Sequence, residues 1–231
     1  MRPAGPENPA VEPWLPRTLL LLGTDAAGKN HVAKVWALRM GAAGEPPILQ
    51  EGWLAGPPVA LDAEEAKSPL SHLAEWIFLR VFPWIARGMP PALNFLIRRD
   101  ARRFRADGRR RLVISHSALR ILAFCLAAPG RQTRPLPESS RRAIAELRRR
   151  SGARVVVLDV PHEVRRRRIE ARLARDDSDP FDRFMLADGE RSERIEACLV
   201  ELAVEHLDAH LIVNDELDDD ALWAELKAAC A

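Results

Sequence analysis

Short apolar runs alternate with longer amphipathic stretches along most of this chain of 231 residues. TLLLL, Thr18–Leu22, is unbroken and ends at a glycine, as expected of a strand covered on both faces of a parallel sheet. RLVIS at Arg111–Ser115, ARVVVLD at Ala153–Asp159 and the run Ala209–Val213 repeat that pattern, and Pro47–Glu51 is a weaker version. Between them apolar positions fall three and four apart, the spacing of one helical face. Lys29–Arg39 reads as a helix buried through Val32, Val35, Trp36 and Leu38, and Pro69–Ala86 and Ala92–Asp107 as two more. A further helix runs through Leu119, Leu122 and Phe124. Pro137 opens another that stops before Gly152, and His162–Ala174, Ser192–Leu207 and a terminal helix around Leu222–Ala229 complete the series.

Strands alternating with helices predict a three-layer α/β/α fold, a parallel sheet of about five strands covered on both faces. Ligands of such sheets bind beyond the carboxyl ends of the strands. The proline-rich stretch 1–16 lacks the apolar core of a signal peptide and reads as an irregular tail, leaving 17–231 as one domain. The apolar stretch Leu70–Ile97 is broken by Glu75, Arg80, Arg87 and prolines, so no membrane span is expected.

Composition narrows the chemistry. The residues are 47% hydrophobic and 29% charged, and a net charge of +2 makes no general demand for a nucleic-acid partner. Positive charge is almost all arginine; the only lysines are Lys29, Lys34, Lys67 and Lys227. Cys125, Cys198 and Cys230 are odd in number and scattered, with no disulfide framework and no metal-ligand spacing, so the cytoplasm is the expected compartment.

The chemistry-bearing motif is GTDAAGKN, Gly23–Asn30, directly after the first strand and opening the first helix. The spacing G-x-x-x-x-G-K lets the backbone N–H groups of Ala26, Ala27 and Gly28 wrap a polyphosphate at the positive end of a helix, with Lys29 reaching the outer phosphates. The hydroxyl that normally follows the lysine is replaced by Asn30, whose side-chain carbonyl can still ligate magnesium, an ion that keeps several waters. Arg168, Arg172 and Arg175 share one helical face, where a lid could fold over a phosphate, while Arg165, Arg166 and Arg167 read as a solvated face.

From about Arg17 onward the chain resembles the thymidylate kinase family of P-loop nucleoside monophosphate kinases. GTDAAGKN is similar to its G-x-D-G-S-G-K-S/T loop and keeps the aspartate, Asp25. VVVLDVPHEVRRRRIEARLARDD, Val155–Asp177, resembles its fourth strand, L-D-V-P-x-E turn and arginine-bearing lid, here 162–184; DRFM, Asp182–Met185, is like the D-R-F-E that closes the lid. HLIVND, His210–Asp215, resembles the last strand. The likeness implies an ATP- and magnesium-dependent kinase of a nucleoside monophosphate, thymidylate or a related small acceptor. Lys29, Arg172 and Arg175 would be catalytic, Gly23, Ala26, Ala27, Gly28, Lys29 and Asn30 would hold the ATP phosphates, Asn30 the metal, and Asp25 and Arg99 the acceptor. The departures are His116-Ser117-Ala118, where the family places an Asp-Arg pair after its third strand, and EGW at Glu51–Trp53 in place of E-P-G. His116 reads equally as a functional group or as a strand-end histidine bonded to backbone.

Two other readings stay open: a nucleotide-binding protein of the same fold with reduced or lost catalysis, and, ranked last, a nucleic-acid binder using its arginine helices. Small-molecule nucleotides are therefore the expected partners. The sequence is silent on oligomeric state, with a homodimer as the assembly to test.

Overall fold

The computed structural model describes residues 16–42, 46–60, 69–128, 135–175 and 179–230. The expected tail therefore lies outside the described residues apart from Pro16, as does the 176–178 part of the lid. Five strands, β1 (Thr18–Leu22), β2 (Ile48–Glu51), β3 (Arg111–Ile114), β4 (Arg154–Asp159) and β5 (His210–Val213), form one sheet in the order β2-β3-β1-β4-β5. All four pairings are parallel. The helices are α1 (Lys29–Ala42), α2 (Pro69–Ile85), α3 (Pro90–Arg103), α4 (Ser117–Leu126), α5 (Glu138–Ser151), α6 (His162–Ala174), α7 (Pro180–Leu186), α8 (Gly189–Leu207) and α9 (Asp219–Cys230).

Side chains alternate across the pleat and so divide the core into two layers. Leu20, Leu22, Val113, Val155 and Val157 pack with helices α2–α5, α7 and α8. Leu19, Leu21, Leu112, Val156 and Leu158 pack with α1 and α9. Both faces of β1 are thereby covered, which is why all five of its residues are buried and four of them are leucine. Among the described residues no helix is long and apolar enough to cross a membrane.

Helix ends differ from the sequence expectation for local reasons. α3 starts at its proline pair and stops at Arg103, because Phe104 turns extended (φ −58°, ψ 131°). α8 begins a turn earlier than expected, where Asp188 accepts from the amide of Arg191 at 2.9 Å. α7 is an element the periodicity did not show. It is too short for that signal and is started by Asp179, whose side chain accepts from the amide of Asp182 while Asp182 bonds back to the Asp179 amide.

The chain leaves β1 toward β2 on one side and later crosses to β4 and β5 on the other. The order thus reverses around β1, and the crevice at its carboxyl end is where a ligand belongs.

Candidate functional site

The loop from Gly23 to Gly28 sits at that carboxyl end, between β1 and α1. Ala26 (φ 60°) and Gly28 (φ 88°) take left-handed backbone conformations that curl the loop. An alanine there costs on the order of 1 kcal/mol or more that glycine avoids. Holding the loop there takes support from outside it, and α6 and the residue after β5 supply it. Arg168 donates to the carbonyl of Ala26 at 3.2 Å, and Asn214 Nδ2 donates to that of Ala27 at 2.9 Å. A Cβ at Gly28 would lie 2.6 Å from Asn214 Nδ2, so the close approach also demands glycine.

Below the loop is a buried charge clamp. Arg165 is 1% exposed and forms an ion pair with the buried Glu196 of α8. Between them the hydroxyl of Thr24 accepts from Arg165 and donates to Glu196, both at 3.1 Å. This corrects the reading of Arg165 as a solvated residue. Its neighbours Arg166 and Arg167 do face solvent, against Glu163 and Glu170 and against Glu216 respectively. A run of arginines conceals which one turns inward; α6 resolves it by presenting Val164, Arg165 and Ile169 to the interior.

Lys29 is half-buried and folds its ammonium back onto the carbonyls of Gly23 (3.0 Å) and Thr24 (2.6 Å). Burial outweighs the attraction of Asp25 and pulls its pKa from 10.5 down to about 8, with Arg120 and Arg172 pushing the same way and Glu51 opposing. The five groups therefore form one electrostatic cluster at the carboxyl edge. Arg120, one turn into α4, pairs with Asp25 at 3.2 Å and lies 4.2 Å over the ring of Phe181. Arg172 meets the buried Asp182 of α7 at 2.9 Å. The pair is in ionic contact without hydrogen-bond alignment, both atoms lacking a well-directed partner. Burial nevertheless dominates at Asp182 and lifts its carboxyl from 3.8 to about 6, despite Arg172.

Of the predicted site residues, the fold thus gathers Gly23, Asp25, Ala26, Ala27, Gly28, Lys29 and Arg172. Asn30 is exposed in the first turn of α1, and Arg175 is exposed at the end of α6. Arg99 is exposed on α3, lining a groove of about 210 Å³ with Trp53, Gly56 and Asp100. Sequence reasoning missed Arg120, Asn214, Thr24 and Glu196 as supports of the loop. Only Asn214 carried a signal, standing directly after the last strand.

The β3 side is built differently. His116 is fully buried and caps α4, its Nδ1 accepting from the amide of Leu119 at 3.3 Å. With Nδ1 as acceptor the proton belongs on Nε2, which faces Asp100 Oδ2 at 3.3 Å. Asp100 also accepts from the amides of Leu54 (2.9 Å) and Ala55 (3.0 Å). Burial raises its pKa, but His116 and the two amides more than offset this and hold it below the ordinary carboxylate range. Ser115, between strand and cap, has φ 67°, the strained turn that swings the chain from β3 into α4.

Among the described residues no group of three or more His, Cys, Asp or Glu is placed to hold a metal. The carboxylates that act on Lys29 are Asp25 and Glu51, and Asn30 lies exposed in the first turn of α1; hard cations such as magnesium take oxygen ligands of these kinds. No protein-family model matches the chain, and comparison with curated proteins finds no matching relative. The three-layer architecture with five parallel strands is consistent with the P-loop NTPase superfamily in general, and so with nucleotide binding.

Proposed function

We propose that this protein is an ATP-dependent kinase of a nucleoside monophosphate or a related small phosphate acceptor. The observation that carries the reading is the desolvated ammonium of Lys29, seated on loop carbonyls at the start of α1 and flanked by Arg120 and Arg172. A γ-phosphate offers Lys29 a stronger partner than two carbonyls. It also gives Arg172 an anion in place of the poorly aligned Asp182. The loop amides and Lys29 would hold the donor, and Arg172 would close over the phosphoryl group from the lid, where positive charge and alignment do most of the catalytic work. Arg120, oriented by Asp25, would grip the acceptor phosphate in place of the missing Asp-Arg pair after β3. Magnesium, when bound with ATP, neutralises phosphate charge; Asn30 would supply its one protein oxygen.

The second reading, nucleotide binding with reduced catalysis, draws support from His116, which is committed to capping α4 and facing Asp100.

Turnover separates the two. With magnesium and ATP, the purified protein is expected to form ADP from at least one of a panel of nucleoside monophosphates; protection by ATP without any turnover would select the second reading. Lys29→Ala should abolish ATP protection against thermal unfolding, weakening binding about 10- to 100-fold, while the unliganded protein stays folded. In the free protein Lys29 loses its proton near pH 8, whereas beside phosphate it would retain it. ATP binding should therefore take up a proton above that pH, and protection should weaken as pH rises through 8 to 9.

A further inference from the structure

Helix α2 is apolar on two opposite sides. On the inner side Leu79 and Phe82 are buried in the core and Phe78 packs against them. The outer side carries two rows of residues four apart, the spacing of the ridges on a helix surface. Leu73, Ile77, Val81 and Ile85 form an aliphatic ridge, and Trp76, Arg80 and Trp84 form a second one beside it. All seven are exposed, Trp84 at 87% and Trp76 at 57%. A surface helix keeps its outer face polar, whereas a helix apolar all round belongs in an interior.

Size and charge bear on what covers this face. At these exposures the six apolar residues present roughly 700 Å², above the ~300–600 Å² of the largest patch on an ordinary monomer and close to the ~800 Å² each partner gives to a stable interface. The two rows hold one arginine and no carboxylate, so they offer a charged, unlike partner little to pair with. They do suit their own copy. In the commonest packing of two helices the four-apart ridges of both interdigitate, so one ridge set serves on either side of the contact. A two-fold contact likewise presents one patch to itself. An axis across the middle of α2 sets the Leu73 end of one stripe against the Trp84 end of the other. Arg80, near that axis, keeps its guanidinium in water at the rim while its stem lies along apolar surface.

We propose that the outer face of α2 is the seam of a two-fold homodimer. None of its residues belongs to the cluster around Lys29, so the seam does not rest on the kinase reading.

Sedimentation equilibrium of the full chain tests this. At about 10 µM the wild type is expected at twice 25.9 kDa. Ile77→Glu with Trp84→Glu, both at exposed positions, should weaken association about 100-fold or more and return the 25.9 kDa species with its far-ultraviolet circular dichroism unchanged. Leu38→Glu, at an exposed leucine of α1 outside the stripe, should leave the dimer intact, and so should Lys29→Ala. The wild-type melting midpoint should rise with protein concentration and that of the double variant should not, a comparison that holds even where the variant is less stable. A wild type that stays at 25.9 kDa up to about 100 µM overturns the proposal. If that monomer also floats with vesicles of phosphatidylcholine and phosphatidylserine, and Trp84→Glu does not, the face belongs to a lipid surface instead. A dimer that survives Ile77→Glu with Trp84→Glu overturns it too, by placing the seam on another face.

Discussion

The two sides of the sheet's carboxyl edge solve the same problem of strand-to-helix turning with opposite chemistry. On the β1–β4–β5 side, polar groups reach the loop from other elements and leave charge pointing at the crevice: Arg165 and Glu196 from below, Arg168 and Asn214 from the side, Lys29 and Arg172 at the mouth. On the β2–β3 side, Asp100 accepts from two backbone amides and faces His116 Nε2 at 3.3 Å, and His116 accepts from a third amide, so both side chains are committed to neighbours within the fold. On the first side charged groups remain at the crevice; on the second the polar pair is committed to the fold.

The largest test of this contrast is Arg165→Ala, which leaves Glu196 charged and buried. It should cost about 3–5 kcal/mol in urea denaturation and weaken ATP protection as well, because Thr24 loses its donor. A loss below about 1 kcal/mol would mean the clamp is not holding the loop. Next in size is His116→Ala, expected to cost about 2–3 kcal/mol through the lost cap and the exposed need of Asp100, with ATP protection per unit of remaining fold unchanged. Selective loss of nucleotide binding there would erase the distinction between the two flanks.

A smaller effect lies at Asp182. Its carboxyl, raised by burial from 3.8 to about 6, holds its proton more tightly in the folded than in the unfolded chain. The site therefore favours the fold most below pH 3.8, loses that contribution as pH climbs to about 6, and is level beyond. Asp182→Asn should flatten this segment of the stability–pH curve and release Arg172; an unchanged curve would show that Asp182 titrates normally. The smallest effect is expected from Arg166→Ala on the solvated face of α6, within about 0.5 kcal/mol of wild type by thermal denaturation. A loss comparable to that of Arg165→Ala would mean that the two positions share a role.

Much of the architecture was legible because strands covered on both faces must be apolar throughout, as Thr18–Leu22 and Arg154–Asp159 nearly are. The loop Gly23–Lys29 was legible as a motif because its residues are contiguous and lie between the first strand and the first helix. Arg120 was not, since an arginine one turn into an apolar helix looks like a solvated tip until α7 brings Phe181 and the loop brings Asp25 against it. Nor was the inward turn of Arg165, within a tetrad of arginines that differ only in azimuth.

By itself the sequence determined the alternation of strands and helices, short α7 apart, and the layering, both of which follow from local periodicity, and it marked the loop Gly23–Asn30 by a short motif. Only the tertiary structure decided which arginines reach that place, that His116 belongs to the scaffold, and how far Lys29 and Asp182 are shifted from their ordinary protonation. The physical reason is range. Periodicity and loop chemistry act over a few residues, whereas ion pairing and desolvation depend on groups such as Thr24, Arg165 and Glu196 that are remote in the chain and meet only when the layers close.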